Sequence, residues 1–202
     1  HTVQALDRLT FHRGEDYRYD RPPSEQKEGL ASWKAWWETH RGAPRWDWAQ
    51  EGRESEIPDI RRYAVEAAAR SRDPRALAVL LAAFGDEDAQ VRATATDGLA
   101  AFPTEEAVSA AVERLEDPSW EPRCAAIRVL RAVLGKPQED ETPPVFAAVP
   151  AAEKNAPDPV RLCALMREVL TKGQYEYVRT DAIWTLVWQK DPKAAATFIA
   201  FM

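Results

Sequence analysis

Asp86-Glu87-Asp88-Ala89-Gln90-Val91-Arg92-Ala93-Thr94-Ala95-Thr96-Asp97-Gly98-Leu99 is the stretch that decides the fold. An acidic turn leads into a segment whose apolar residues, Val91, Ala95 and Leu99, recur every fourth position, which is the spacing of one helix face. Its Arg92-x-x-Ala95 core recurs as Arg61-x-x-Ala64, Arg123-x-x-Ala126 and Arg179-x-x-Ala182, and the first three copies stand 31 residues apart. A fixed period of this length marks stacked units, each burying its apolar face against its neighbours. The expected architecture is all-α, a right-handed α-α superhelix of antiparallel helix pairs.

Aligned on the arginines, the apolar positions −1, +3, +7 and +10 give Ile60, Ala64 and Ala68 in the first unit. They give Val91, Ala95, Leu99 and Phe102 in the second, and Ala126, Leu130 and Val133 in the third. The fourth supplies Val178, Ala182 and Leu186. Alanine at +3 lets neighbouring helices approach closely, where leucine would hold them apart. A preceding helix repeats in the same register: Leu77, Leu80, Leu81 and Phe84, then Val108, Ala111, Val112 and Leu115. Asp73-Pro74 is suited to start the first of these, since proline lacks only a donor that would be unpaired there.

The third interval is 56 residues: most of the excess is residues 135–159, a Pro-rich loop with the acidic run Glu139-Asp140-Glu141 and a short helix expected near Val145–Lys154, and two further extra residues fall in the Gly173-Gln174 turn. The register returns at Leu162, Leu165, Met166 and Val169. Expected divisions are therefore 1–10, the tail of a truncated preceding repeat; 11–56, an aromatic-rich insertion with one helix; 57–134, repeats; 135–159, the loop; and 160–202, further repeats. The chain opens on His1 and its last helix has no partner, so a C-terminal piece of a longer solenoid is expected.

A net charge of −6 argues against a surface built for phosphates, so nucleic acid is not the expected partner. No apolar run approaches the roughly 18 residues of a membrane span. Cys124 and Cys163 are too few to staple 202 residues, so buried thiols are favoured over a disulfide. They say little about compartment, for which cytoplasm is favoured over export.

The acidic turn followed by Val91-Arg92-x-x-Ala95-x-x-x-Leu99 resembles bacterial HEAT-like repeats, most closely the short repeats of phycobiliprotein lyases. The resemblance is good over about 57–134 and looser over 160–202. It implies curved surfaces that bind other proteins, and an arginine ladder with turn carboxylates. Asp86 and Asp117 each stand six residues before an arginine of the pattern, whereas Ser55 and Gly173 hold that position in the other units. Lyase activity belongs to a few members and does not transfer on repeat matching alone.

Residues 10–50 depart from the repeat. A helix is expected at about Ser24–His40, with Trp33, Trp36 and Trp37 on the face that docks on the solenoid. Trp46 and Trp48 are expected on a loop, as contact residues. Positions +1 and +5 should face the concave surface: Arg62 and Glu66, Ala93 and Asp97, Cys124 and Arg128, Thr180 and Trp184. This mixed-charge stripe suits a protein or peptide, with Trp184 the candidate hot spot and contact with the last helix or the Pro-rich loop its alternative.

His12, Glu15, Asp16 and His40 lack metal-ligand spacing, and there is no phosphate loop, nucleophile elbow or paired-cysteine motif. No catalytic residue, metal or cofactor is assigned, and the oligomeric state is left open. Two alternatives to a non-enzymatic interaction module stand. One is a HEAT-like DNA glycosylase or other nucleic-acid-acting enzyme, using Asp181, Trp184 and Trp188; the other is the structural tail of a larger enzyme.

Overall fold

In the computed structural model the described residues are 2–13, 22, 27–134, 159–172 and 175–201. They contain helices and turns and no strand. The order is α1 (Thr2–Thr10), α2 (Lys27–His40), α3 (Arg45–Arg53), α4 (Pro58–Ser71), α5 (Ala76–Ala82), α6 (Ala89–Gly98), α7 (Glu105–Arg114), α8 (Trp120–Leu134), α9 (Pro159–Lys172), α10 (Glu176–Trp188) and α11 (Ala194–Phe201). Short 3₁₀ turns extend α5 through Gly85 and α6 through Ala101. The helix expected near Val145–Lys154 lies outside the described residues.

Four helix pairs, α3/α4, α5/α6, α7/α8 and α9/α10, stack so that α4, α6, α8 and α10 lie side by side; α11 follows against α9 and α10. The structure is an all-α solenoid. Ala64, Ala95, Ala126 and Ala182 are each at most 1% exposed, and the +7 residues Ala68, Leu99, Leu130 and Leu186 are equally buried. Each buried leucine contributes roughly 1.5–3 kcal/mol, while the alanines set how closely the helices approach.

Between residues 11 and 56 the described residues form two helices where one was expected. The second, α3, is the first helix of a repeat unit and packs on α4. Counting 31 back from Leu80 lands on Ala49, and both are buried, as is Ala111 one period further on. Aromatic residues at Trp46 and Trp48 hide that period, because the matching positions elsewhere are aliphatic or small. Gly52 on α3 is required by a close approach: a Cβ there would stand 2.5 Å from the Phe11 Cβ and 3.3 Å from that of Ala64. Phe11, buried with φ of 55°, is thereby clamped where α1 ends.

The arginines stitch consecutive units together. Arg61 donates from Nε and Nη2 to Asp86 at 2.7 and 2.9 Å, and from Nη1 to the Ser55 and Glu56 carbonyls at 2.9 and 3.2 Å. Arg92 repeats this one unit on, with Asp117 at 2.9 and 3.0 Å and the Asp86 and Glu87 carbonyls at 2.9 and 3.0 Å. Each arginine thus takes carbonyls from its own turn and a carboxylate 25 residues ahead, so Asp86 serves Arg61 rather than the arginine that follows it. Asp86 also accepts the Asp88 N–H, and Asp88 caps α6 by accepting from Gln90 and Val91.

Burial pushes the Asp86 and Asp117 carboxyls up, but hydrogen bonds from the ladder arginines and from turn N–H groups outweigh it and hold both below the ordinary range. Depressed folded values stabilise above the unfolded value of about 3.9, and that stability is lost as pH falls through the folded values. Asp7 runs the other way, because burial raises it more than Arg13 lowers it, so its cost fades on acidification. The urea midpoint should therefore be level from about pH 5 to 7 and fall below about pH 4. Arg92→Ala should cost about 1.5–3 kcal/mol, since it strips one of two arginine partners from the buried Asp117 carboxylate and leaves Arg114, and should soften that acid limb. Gly52→Ala should cost about 1–3 kcal/mol by overpacking, read in the same denaturation series.

Candidate functional site

The side-by-side helices α4, α6, α8 and α10 carry the +1 and +5 residues, and in the second and third units the +1 residues are buried while Thr180 in the fourth is exposed. Ala93 is 7% exposed and Cys124 is 4% exposed, so both lie between helices rather than on an open stripe. Small residues let the neighbouring helix close over them. The longer members are braced. Arg62 donates to Asp59 at 3.1 Å and lies over the Tyr63 ring at 4.7 Å. Glu66 is held by Arg8 and Arg70, each at 2.7 Å. Arg128 grips Asp97, one period back, at 3.0 and 2.8 Å.

This last pair is half exposed, so it contributes under about 1 kcal/mol. Burial lowers the Arg128 guanidinium, but Asp97, Cys124 and Asp181 more than offset it and raise it overall. Burial likewise pushes the Cys124 thiol up, and the Asp181 carboxylate adds to the effect, taking it to about 12. Cys163 is also buried and raised, chiefly by burial. Both thiols are free.

Helix α10 is different. Tyr177, Trp184 and Val187 are 67%, 63% and 56% exposed. Tyr177, Asp181, Trp184 and Trp188 fall at offsets 0, 4, 7 and 11, one helix face. The Tyr177 ring meets Trp120 of α8 at 5.2 Å, and Trp120 is itself 40% exposed. The Trp188 ring, by contrast, is covered by the Arg131 guanidinium at 4.5 Å. An aromatic patch thus spans the start of α8 and the face of α10, beside the Cys124–Asp181–Arg128 group. The sequence pointed to Trp184; Trp120 and Tyr177 were missed, because they lie at −3 and −2, just before each repeat motif, where no periodic signal flags them.

At the other end, Trp46 and Trp48 sit on helix α3 and not on a loop. Trp46 packs against the Ala68, Ala76 and Val79 cluster, with Arg75 over its ring at 4.6 Å. Trp48 packs against the Phe11, Ala49, Ile60 and Ala64 cluster and donates to the His40 carbonyl at 2.9 Å. On α2, Trp36 is buried while Trp37 is 46% exposed, so the three tryptophans do not share one buried face. Trp36 stacks between His12 and His40, with centroids at 4.9 and 4.5 Å, and donates to Glu51 at 3.2 Å. His12 and His40 are therefore brought together through Trp36; Glu15 and Asp16 lie outside the described residues. Among the described residues no group of three His, Cys, Asp or Glu could hold a metal ion. Nor is any helix there long and apolar enough to cross a membrane.

The family model described as HEAT repeats matches residues 47–131 and, overlapping, 77–161. Its match begins inside α3, in agreement with the unit boundary seen in the structure. A solved structure, the complex of CpcE and CpcF of phycocyanin lyase from Nostoc sp. PCC7120, is similar with a TM-score of 0.52 and 19% identity, over 91% of this chain and 95% of that chain. At that identity the likeness is one of fold. No curated protein matches the sequence.

Burial and a thiol near 12 make a definite chemical expectation. Native protein at pH 8 should resist iodoacetamide at Cys124 for hours, and both cysteines should alkylate within minutes in urea, as read by intact mass.

Proposed function

Since the chain belongs to the HEAT-repeat family, we propose that it is a non-enzymatic interaction module that uses the α8–α10 face to hold a protein partner. The observation that carries this is Trp184, 63% exposed on a helix whose neighbouring repeat positions are buried. Tryptophan and tyrosine are among the residues most enriched at interface hot spots, and a stacked helical scaffold presents them with little backbone ordering cost. Trp120, Tyr177, Trp184 and Val187 supply an apolar centre. The Arg128–Asp97 pair and Asp181 supply a charged border, which is the division found in protein interfaces.

Two further points support the reading. The braced charges at Arg62 and Glu66 already have partners, which makes them a poor cradle for a small substrate. The similar solved structure is itself a complex of two chains, so a solenoid of this shape can be one subunit of an assembly.

A photocrosslinking amino acid at the exposed position Thr180 tests the proposal in extract from the native host. It should trap one protein reproducibly. Trp184→Ala should weaken that complex about 30-fold, the effect of losing about 2 kcal/mol at a hot spot. Glu106→Ala on α7 should leave it unchanged. Absence of any Trp184-dependent protein, together with turnover of a small molecule by the purified chain, would overturn the proposal.

A further inference from the structure

The arginine ladder changes at its third rung. Arg61 and Arg92 each hold a carboxylate with Nε and Nη2, and each directs Nη1 to carbonyls of its own turn. Arg123 instead turns its Nε to the Asp117 carbonyl, and its guanidinium lies over the Tyr175 ring at 5.2 Å. Among the described residues no carboxylate reaches it. The sequence supplies the reason: six residues before the next repeat arginine, Arg179, where the earlier units carry Asp86 and Asp117, stands Gly173.

The guanidinium is not sealed in. Arg123 lines a cleft of about 140 Å³ between α7, α8, α9 and α10, walled by Leu115 and Leu165. That is well below the roughly 300 Å³ at which small-molecule pockets begin, so the space suits one short side chain. The other charges facing it are Glu116, Glu168 and Lys172. Lys172 is taken by Glu168, one helical turn back. Glu116 and Glu168 weaken the cleft's pull on any anion, so recognition rests on directed hydrogen bonds from the Arg123 guanidinium, the cation of this lining without a carboxylate. Tyr175, whose hydroxyl donates to the Pro118 carbonyl at 2.6 Å, is fixed beneath it and keeps the guanidinium plane in place.

We propose that Arg123 is an open rung that a partner protein completes with an aspartate or glutamate side chain, as Asp86 and Asp117 complete the first two rungs from within the chain. This rests on the interaction-module reading and adds the chemistry the partner must present. The Nη edge of a guanidinium matches a carboxylate bidentately, which lysine cannot reproduce. The same chain therefore contains the template for its own ligand: an aspartate in a tight turn, followed by proline and serine, as in Asp117-Pro118-Ser119.

The test uses full-length chain with ¹⁵N-labelled arginine and the peptide acetyl-Gln-Asp-Pro-Ser-amide. The Arg123 Nε–H signal should shift and saturate with this peptide, and acetyl-Gln-Asn-Pro-Ser-amide should bind at least tenfold more weakly. Arg123→Lys should weaken peptide binding at least tenfold while its urea midpoint shows the fold intact. Gly173→Asp, which restores the carboxylate at the aligned position, should abolish peptide binding and raise the urea midpoint. Equal binding of the Asp and Asn peptides, or unaltered binding in Gly173→Asp, would overturn the proposal. So would movement of the Arg123 signal in Glu139→Gln/Asp140→Asn/Glu141→Gln without peptide, since a carboxylate of this chain would then fill the rung. Failure here leaves Trp184-dependent capture untouched, so the two readings fail separately.

Discussion

The solenoid depends on a guanidinium that spans two repeats. Arg61 and Arg92 each take carbonyls of their own turn and a carboxylate of the next, so each of these two rungs ties one turn to its successor. A buried ion pair of this kind is weak evidence of net stability, because desolvation offsets much of its attraction. Its effect is on register. A unit that slipped by one helical turn would part the buried Asp117 from Arg92 and leave it only Arg114 of its own unit, so a register error costs a buried ion pair. The alanine at +3 sets how close the helices come, and the ladder sets where along their length they meet.

Much of this was legible from periodicity. The +3 alanines, the +7 residues and Val91, Ile60 and Val178 are all buried, as the 31-residue alignment requires. Helix α3 was not legible, because Trp46 and Trp48 occupy places that are Leu77 and Val79 one unit on, and a cluster of tryptophans reads as an insertion. The weaker signal was Ala49, in register with Leu80 and Ala111. The partner of each arginine was also hidden. Asp86 stands six residues before Arg92 in sequence, yet its carboxylate goes to the arginine 25 residues earlier, a choice made by the packing of two units.

The candidate surface shows the same division. An offset rule places Ala93, Cys124, Asp97 and Trp184 on one stripe, but burial separates them: Ala93 and Cys124 disappear between helices and Trp184 stands out. Trp120 and Tyr177 join it because α8 and α10 bring their first turns together, which no linear spacing encodes.

Sequence alone determined that this chain is a stack of helix pairs with a 31-residue period, since apolar spacing and turn chemistry are local properties written once per unit. Tertiary structure alone decided which carboxylate each arginine holds, that α3 opens the first complete unit, and which aromatic residues meet water. Those outcomes depend on distances between helices, and such distances follow from how side chains of different size share one interface.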